Sequence, residues 1–291
     1  MNRRFWTIAL LAASTCFAQS AANDVTISDN SPASESLTST SDGALIIGST
    51  TKSEIFRAAK GAATADVWIK PGTNGLQRVL GVLADERSGT LWACSSGSPT
   101  GLKMFDLKTG ASKDSYDFPG GTGLCNDIAI ASDGTVYATD TTGGRVLRLK
   151  KDATAMDEWV KDLKFNGLDG IAFGDERTIY VNNFFGGTLL RIPIGNDGAA
   201  GPVTQVKTSQ PITRPDGMRS MGPNTLLLIE GGHLDRVTVD GDNAKIDVLK
   251  GGFDGVTAVT QTGNIAWVLA GKMNPNATGP AKIYAVPLSE K

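Results

Sequence analysis

One plan of strands and turns recurs six times along the chain, and this repetition constrains the fold more than any other feature. "ESLTSTSDGALIIGSTTKSEIFRA" (35 to 58), "GVLADERSGTLWACSSG" (81 to 97) with "GLKMFDL", and "NDIAIASDGTVYATDTTGGRVLRL" (126 to 149) each read as strand, glycine-containing turn, strand, short loop, strand. "DGIAFGDERTIYVNNFFGGTLLRI" (169 to 192), "DGMRSMGPNTLLLIEGGHLDRVTV" (216 to 239) and "DGVTAVTQTGNIAWVLAGK" (254 to 272) with "AKIYAVPL" complete the set. A fourth apolar run such as "ADVWIK", "DSYDF", "MDEWV", "PVTQV" or "KIDVL" follows most of them. Short β-branched and aromatic runs bounded by Gly, Asp and Asn are strand signals, and no stretch holds a helical apolar period. Units of roughly 40 to 50 residues with four strands apiece are the mark of propeller blades. The chain is therefore predicted to be all-β, a six-bladed β-propeller. A pair of sandwiches would not require the same turn chemistry at the same offset six times. The WD dipeptide and Gly-His pair of WD40 blades do not recur. The last unit lacks a clear outer strand, which "DVTIS" ahead of Glu35 is positioned to supply.

The first residues are of another kind. Arg3 and Arg4 precede the apolar run Phe5 to Ala13 and small residues through Ala22, the order of a secretory signal. The apolar run is too short to span a bilayer, and no other segment reaches the necessary length. "ASTC" departs from a lipoprotein site, with Ala13 where Leu is usual and Thr15 where Gly or Ala is. The predicted organisation is thus a signal peptide over 1–22, a flexible Ser- and Asn-rich lead-in over 23–33, and the propeller over 34–291, exported to the periplasm or medium. With 40% hydrophobic residues the chain can bury a large core, and a net charge of -2 without basic clusters excludes a nucleic-acid footprint. Beyond Cys16 two thiols are left, Cys94 and Cys125. In an oxidising compartment they read either as a disulfide or as two buried, inert thiols.

In a propeller the inner strands line the channel and their N-terminal ends converge at one mouth. The register places Glu35, Gly81, Asn126, Asp169, Asp216, and Asp254 or Gly255 at these ends. Carboxylates concentrated in a partly desolvated channel repel one another unless a cation compensates them. Ca²⁺ suits them best, since it takes six to eight oxygen ligands in irregular geometry, whereas zinc prefers His or Cys and the lone His233 lies outside the register. Asp and Asn also open strands as turn residues, which accounts for single positions more readily than for a shared offset. Asp42 and Asp133 belong to S-D-G turns and read as structural.

The segments "SESLTSTSDGALIIGS", "CNDIAIASDGTVYATD", "LDGIAFGDERTIYVNN" and "RPDGMRSMGPNTLLLIEGG", in this order and spacing, resemble the regucalcin/gluconolactonase/paraoxonase superfamily of calcium-dependent six-bladed propellers. The resemblance runs from about residue 34 to residue 288. It implies that Glu35, Asn126 and Asp216 are metal ligands. Asp169 stands where that family usually has Asn, and Asn166 in "FNGLDG" is a competing assignment. An Asp in place of Asn strengthens metal binding and reduces the metal's Lewis acidity. The His-pair mechanism of the paraoxonase-like members needs a second histidine beside His233, so the base must be a carboxylate. By the same resemblance Asp216 is both ligand and base, with Asp169 in reserve.

The expected activity is hydrolysis of a small-molecule lactone or related ester. The alternative is a non-catalytic calcium-stabilised propeller that binds a ligand or partner protein at the channel mouth. Arg214 reads as an orienting group for a hydroxylated or anionic substrate or as a surface salt bridge. Asn182, Asn183, Phe184 and Phe185 read as part of a pocket wall or, preferably, as interblade packing. Glu230 is the one candidate for the deep base of a strictosidine-synthase-like enzyme.

Overall fold

A computed structural model describes residues 22–29, 33–273 and 279–288. Most of the expected signal segment, Cys16 included, lies outside the described residues. Among those described, the only helical segments are two three-residue 3-10 turns; everything else regular is strand.

Six antiparallel four-stranded units follow one another. Blade one is Ser34–Ser39, Leu45–Ser49, Ile55–Ala58 and Thr64–Ile69. Blades two and three have inner strands Arg78–Asp85 and Cys125–Ile130 and outer strands Ser112–Asp117 and Asp157–Lys161. Blade four runs from Leu168–Asp175 to the short outer strand Thr204–Gln205, and blade five from Pro215–Gly222 to Asn243–Lys250. Blade six begins with Val256–Thr262, Ile265–Ala270 and Lys282–Pro287. Each inner strand neighbours those of the blades before and after it, and blade six returns to blade one, so the ring is closed.

Closure uses a segment that reads as lead-in. Val25–Ile27 pairs antiparallel with Lys282–Pro287 as the fourth strand of blade six, and parallel with the outer strand of blade one. The propeller thus begins ahead of residue 34, because the unsatisfied edge of a three-stranded last blade takes up this strand.

The apolar alternation of the strands is used between blades rather than within one central core. Each of the six interfaces has its own buried cluster: Leu45, Phe56 and Trp267 between blades one and six, Val79, Leu91 and Phe105 with Ile55 between one and two, Trp92 and Leu147 between two and three. Tyr137, Trp159 and Val181 fill the next interface, Tyr180 and Leu228 the fifth, and Leu227 and Val268 the sixth. Layers of this kind leave the inner strands free to carry polar groups into the channel. Cys94, in the second strand of blade two, forms a disulfide with Cys125 at the start of blade three's inner strand, Cα to Cα 5.2 Å.

Candidate metal centre

Every inner strand carries a β-bulge near its N-terminal end. The register shifts fall between Ser34 and Leu37, Val79 and Val82, Cys125 and Ile128, Leu168 and Ile171, Pro215 and Met218, and Val256 and Ala258. A bulge inserts one extra residue and re-aims the side chains beside it. The bulged residues are Glu35 and Ser36, Leu80 and Gly81, Asn126 and Asp127, Asp169 and Gly170, Asp216 and Gly217, and Thr257. This is why polar residues open strands whose next members enter the core.

Glycine at the second bulged position lets neighbouring blades approach. A Cβ on Gly81 would lie 2.4 Å from the Asn126 carbonyl oxygen, one on Gly170 2.6 Å from that of Asp216, and one on Gly217 2.7 Å from that of Thr257. These contacts also correct the expected register. In blade two the position matching Asn126 is Leu80, which is buried in the interface with blade three, and in blade six it is Thr257 rather than Asp254 or Gly255. Four blades therefore contribute Glu35, Asn126, Asp169 and Asp216, three carboxylates and one amide, and the other two contribute Leu80 and Thr257, neither of them acidic.

The three carboxylates converge. One oxygen each from Glu35, Asp169 and Asp216 lies within 4.8 Å of the others, and all three residues are buried. The Asn126 amide is also buried, interacts with the Asp169 carboxylate and donates through Nδ2 to Thr141 Oγ1 at 3.1 Å. Second strands fix the backbone beneath them: Thr139 Oγ1 donates to the Asp169 carbonyl at 2.8 Å and Asn182 Nδ2 to that of Asp216 at 2.5 Å. Asn182 Oδ1 accepts from the Gly170 amide at 3.1 Å, so one buried side chain ties blades four and five together.

Electrostatics at this spot oppose ionisation. Burial, then the Asp127 charge, push the Glu35 carboxyl up to about 7, with Arg78 and a hydrogen bond from Asp216 acting the other way. Asp169 is raised well above the ordinary carboxylate range by burial and then by Glu35. Asp216 is raised by burial and then by Asp169. Asp216 Oδ1 is buried without a hydrogen-bond partner. An orphaned carboxylate oxygen beside two further acids and a neutral amide, with no sulfur or imidazole among them, fits a hard dication of the Ca²⁺ type.

Two further charged residues beside the cluster carry no role in the sequence pattern. Asp127, the second bulged residue of blade three, accepts at Oδ2 from Arg219 Nη1 at 2.7 Å and from the Ile171 amide at 3.3 Å. Arg219, in blade five's inner strand, also donates to its neighbour's carbonyl, Met218 O, at 2.8 Å and approaches Val82 O at 3.4 Å and Ser36 Oγ at 3.5 Å. One guanidinium thus joins four inner strands across the channel. The available signal was a charged residue within a strand otherwise lined by small and polar groups, which demands an acidic partner.

The remaining candidates fall elsewhere. Asn166 is exposed and lines a surface depression with Thr141 and Leu163, so of the competing pair it is Asp169 that joins the acidic group. Arg214 is exposed, with φ 48°, and its guanidinium lies over the Phe184 ring, 5.7 Å from the centroid; among the described residues it forms no salt bridge. Asn182 and Asn183 are buried, but Phe185 is 76% exposed and meets Phe184 edge-on, so this pair does not simply pack between blades. Glu230 is held by the Thr213 amide and faces His233, which leaves it unsuited to the part of a free base.

Fold and site together define a six-bladed β-propeller with an oxygen-rich acidic cluster at one channel mouth. No protein-family model matches the sequence, and no curated protein matches it. Among solved structures, the chain is similar to a gluconolactonase from Xanthomonas campestris, with 19% identity, 91% of this chain and 89% of that one covered, and a TM-score of 0.67. It is similar also to the calcium-binding protein regucalcin from Agrobacterium tumefaciens, at 13% identity, 93% and 96% coverage and a TM-score of 0.65. A virginiamycin B lyase from Staphylococcus aureus shares the architecture at 14% identity, 91% and 98% coverage and a TM-score of 0.63. The chain therefore has the fold of the gluconolactonase and regucalcin propellers, a fold that also carries lyase chemistry.

Proposed function

We propose that this chain is an exported, metal-dependent hydrolase of lactones or related esters, with Ca²⁺ as its metal. The observation that carries the reading is the convergence of Glu35, Asp169 and Asp216 within 4.8 Å, with Asp216 Oδ1 buried and unpaired. The fold shared with a gluconolactonase and with a calcium-binding regucalcin supports it.

Glu35, Asn126, Asp169 and Asp216 would hold the ion. Bound there, it polarises the ester carbonyl and favours the charge that develops on its oxygen. The chain's own residues supply the rest. Asp216 takes a proton from the water that adds to the carbonyl carbon and returns it to the ring oxygen as the acyl C–O bond breaks, so that one water and one lactone give one hydroxy acid. Asn182 holds Asp216 through its backbone carbonyl, which keeps that carboxylate aimed inward. Arg214, just ahead of blade five, and Phe184, in the turn after blade four's second strand, orient the hydroxylated or anionic part of the substrate.

A second reading is a non-catalytic calcium-stabilised propeller that binds a ligand or partner protein at the mouth. The exposed Phe185 beside Phe184 favours it. Acid release from aldonolactones, γ- and δ-lactones and aryl esters, measured after chelation and again with Ca²⁺ restored, separates the two. Calcium-dependent turnover that disappears in Asp216→Ala supports the hydrolase. Calcium-induced stabilisation without turnover of any substrate supports the binding propeller.

A further inference from the structure

A second group of ligating side chains sits in blade five and shares no residue with the channel cluster. Glu230 ends the second strand, Gly231 and Gly232 turn the chain at φ 51° and 85°, and His233 opens the third strand opposite Glu230. Asp235 stands opposite Leu228 on the same hairpin. One ligand atom from each of Glu230, His233 and Asp235 lies within 4.8 Å of the others.

The arrangement leaves a buried charge unanswered. Asp235 is 0% exposed, and its carboxylate oxygens receive no hydrogen bond from any donor group, having only the neighbouring Glu230 carboxyl beside them. Glu230 is also buried; its Oε2 accepts from the Thr213 amide at 2.6 Å, and its Oε1 faces His233 Nδ1 at 3.3 Å. Among the described residues no Lys or Arg forms an ion pair with either acid. The His233 side chain, by contrast, is 43% exposed, which gives a hydrated ion a way in. Gly251 leaves space for the ring, since a Cβ there would lie 2.7 Å from His233 Cδ2.

We propose that Glu230, His233 and Asp235 bind a first-row transition dication of the Zn²⁺ type, with water completing the coordination. One imidazole nitrogen and two carboxylates are the donors of such an ion, whereas the all-oxygen channel cluster is suited to a harder one. Glu230 also holds the Thr213 amide, so the ion stiffens the segment through Arg214 that leads into Asp216. The proposal does not rest on the lactonase reading. Its rival is a shared proton, because burial and the neighbouring Glu230 charge push the Asp235 carboxyl up to about 7.

The test uses untagged protein, stripped with chelator, kept in excess Ca²⁺ and titrated with ZnCl₂ while bound zinc and melting temperature are measured. The expected result is a single equivalent of zinc per chain and a rise in melting temperature. His233→Ala, at a half-exposed position, is expected to melt like the zinc-free wild type and to bind zinc at least about tenfold more weakly, since even outer-shell losses weaken metal sites by that much. Asp235→Asn is expected to lose the zinc response as well, and Asp216→Asn to keep it. Failure to bind zinc in the presence of Ca²⁺, or equal zinc affinity in wild type and His233→Ala, overturns the proposal.

Discussion

Arg219 Nη1 lies 2.7 Å from Asp127 Oδ2, and this ion pair joins the inner strands of blades five and three across the channel. The Asp127 side chain is buried and that of Arg219 is 12% exposed, and they stand beside the acidic cluster whose members Asp127 perturbs.

Removal of one partner from a buried ion pair leaves an uncompensated charge, at a cost of about 3–5 kcal/mol. Arg219→Ala is expected to destabilise the protein by roughly that amount in urea unfolding. Arg219→Lys keeps the charge but not the fork that reaches Val82 and Ser36, and should fall between the two. Equal stability of all three proteins would show that the pair contributes nothing.

The acidic cluster ties stability to pH in a definite direction. Without a cation the folded protein holds a proton on Glu35 up to about 7, against 4.5 in the unfolded chain. Its contribution is fully present below pH 4.5 and is lost as the pH rises toward about 7, a change on the order of 3 kcal/mol for this group. Asp169 and Asp216 are raised as well, by burial and by neighbouring carboxylate charges, and add to the loss in the same direction. Chelated protein is thus expected to melt lower at pH 8 than at pH 5. Ca²⁺ should reverse the trend, its affinity increasing as the carboxyls release protons. Melting curves across this range, with chelator and with Ca²⁺, check both slopes.

Asp169 supplies a charge where the resembling family has a neutral amide. Asp169→Asn is expected to weaken calcium binding by about tenfold and to raise turnover, because the retained ion becomes a stronger Lewis acid. Calcium titration and lactone kinetics on the same variant measure the two effects. Tighter calcium binding in the variant would contradict the assignment.

The Cys94–Cys125 bridge closes a chain separation of 31 residues and ends next to Asn126. A loop of this size corresponds to roughly 3–4 kcal/mol of stabilisation. The double variant Cys94→Ala, Cys125→Ala should lose about that much stability and bind calcium more weakly, since Asn126 loses its fixed neighbour. Thiol counting on unfolded, unreduced protein should find neither of these cysteines free.

Much of the fold was legible because each blade repeats the same local signals. Asp and Gly mark the turns, the strands alternate, and the inner strands start at matching offsets from those turns. Those offsets point to Glu35, Asn126, Asp169 and Asp216, all of which the structure brings to one mouth. The offsets mislead by one residue in blade two and by more in blade six, because a bulge adds a residue without leaving a composition signal, and Leu80 and Thr257 look like ordinary strand residues. The Asp127–Arg219 pair was hidden for another reason: its members are 92 residues apart, and only ring closure makes them neighbours. Phe185 looked like packing because apolar side chains usually pack; its exposure follows from the Gly186–Gly187 turn, which no periodicity predicts.

Calcium titration of chelated protein, with wild type beside Asp216→Ala and Glu35→Gln, tests the central claim most directly. Convergence of the bulged acids on one dication predicts a single calcium equivalent for the wild type, a gain of about 2.7 kcal/mol in stability at a hundredfold excess over Kd, and loss of both in the variants. Wild-type protein that takes up no calcium, or variants that bind it as tightly as wild type, would contradict the account.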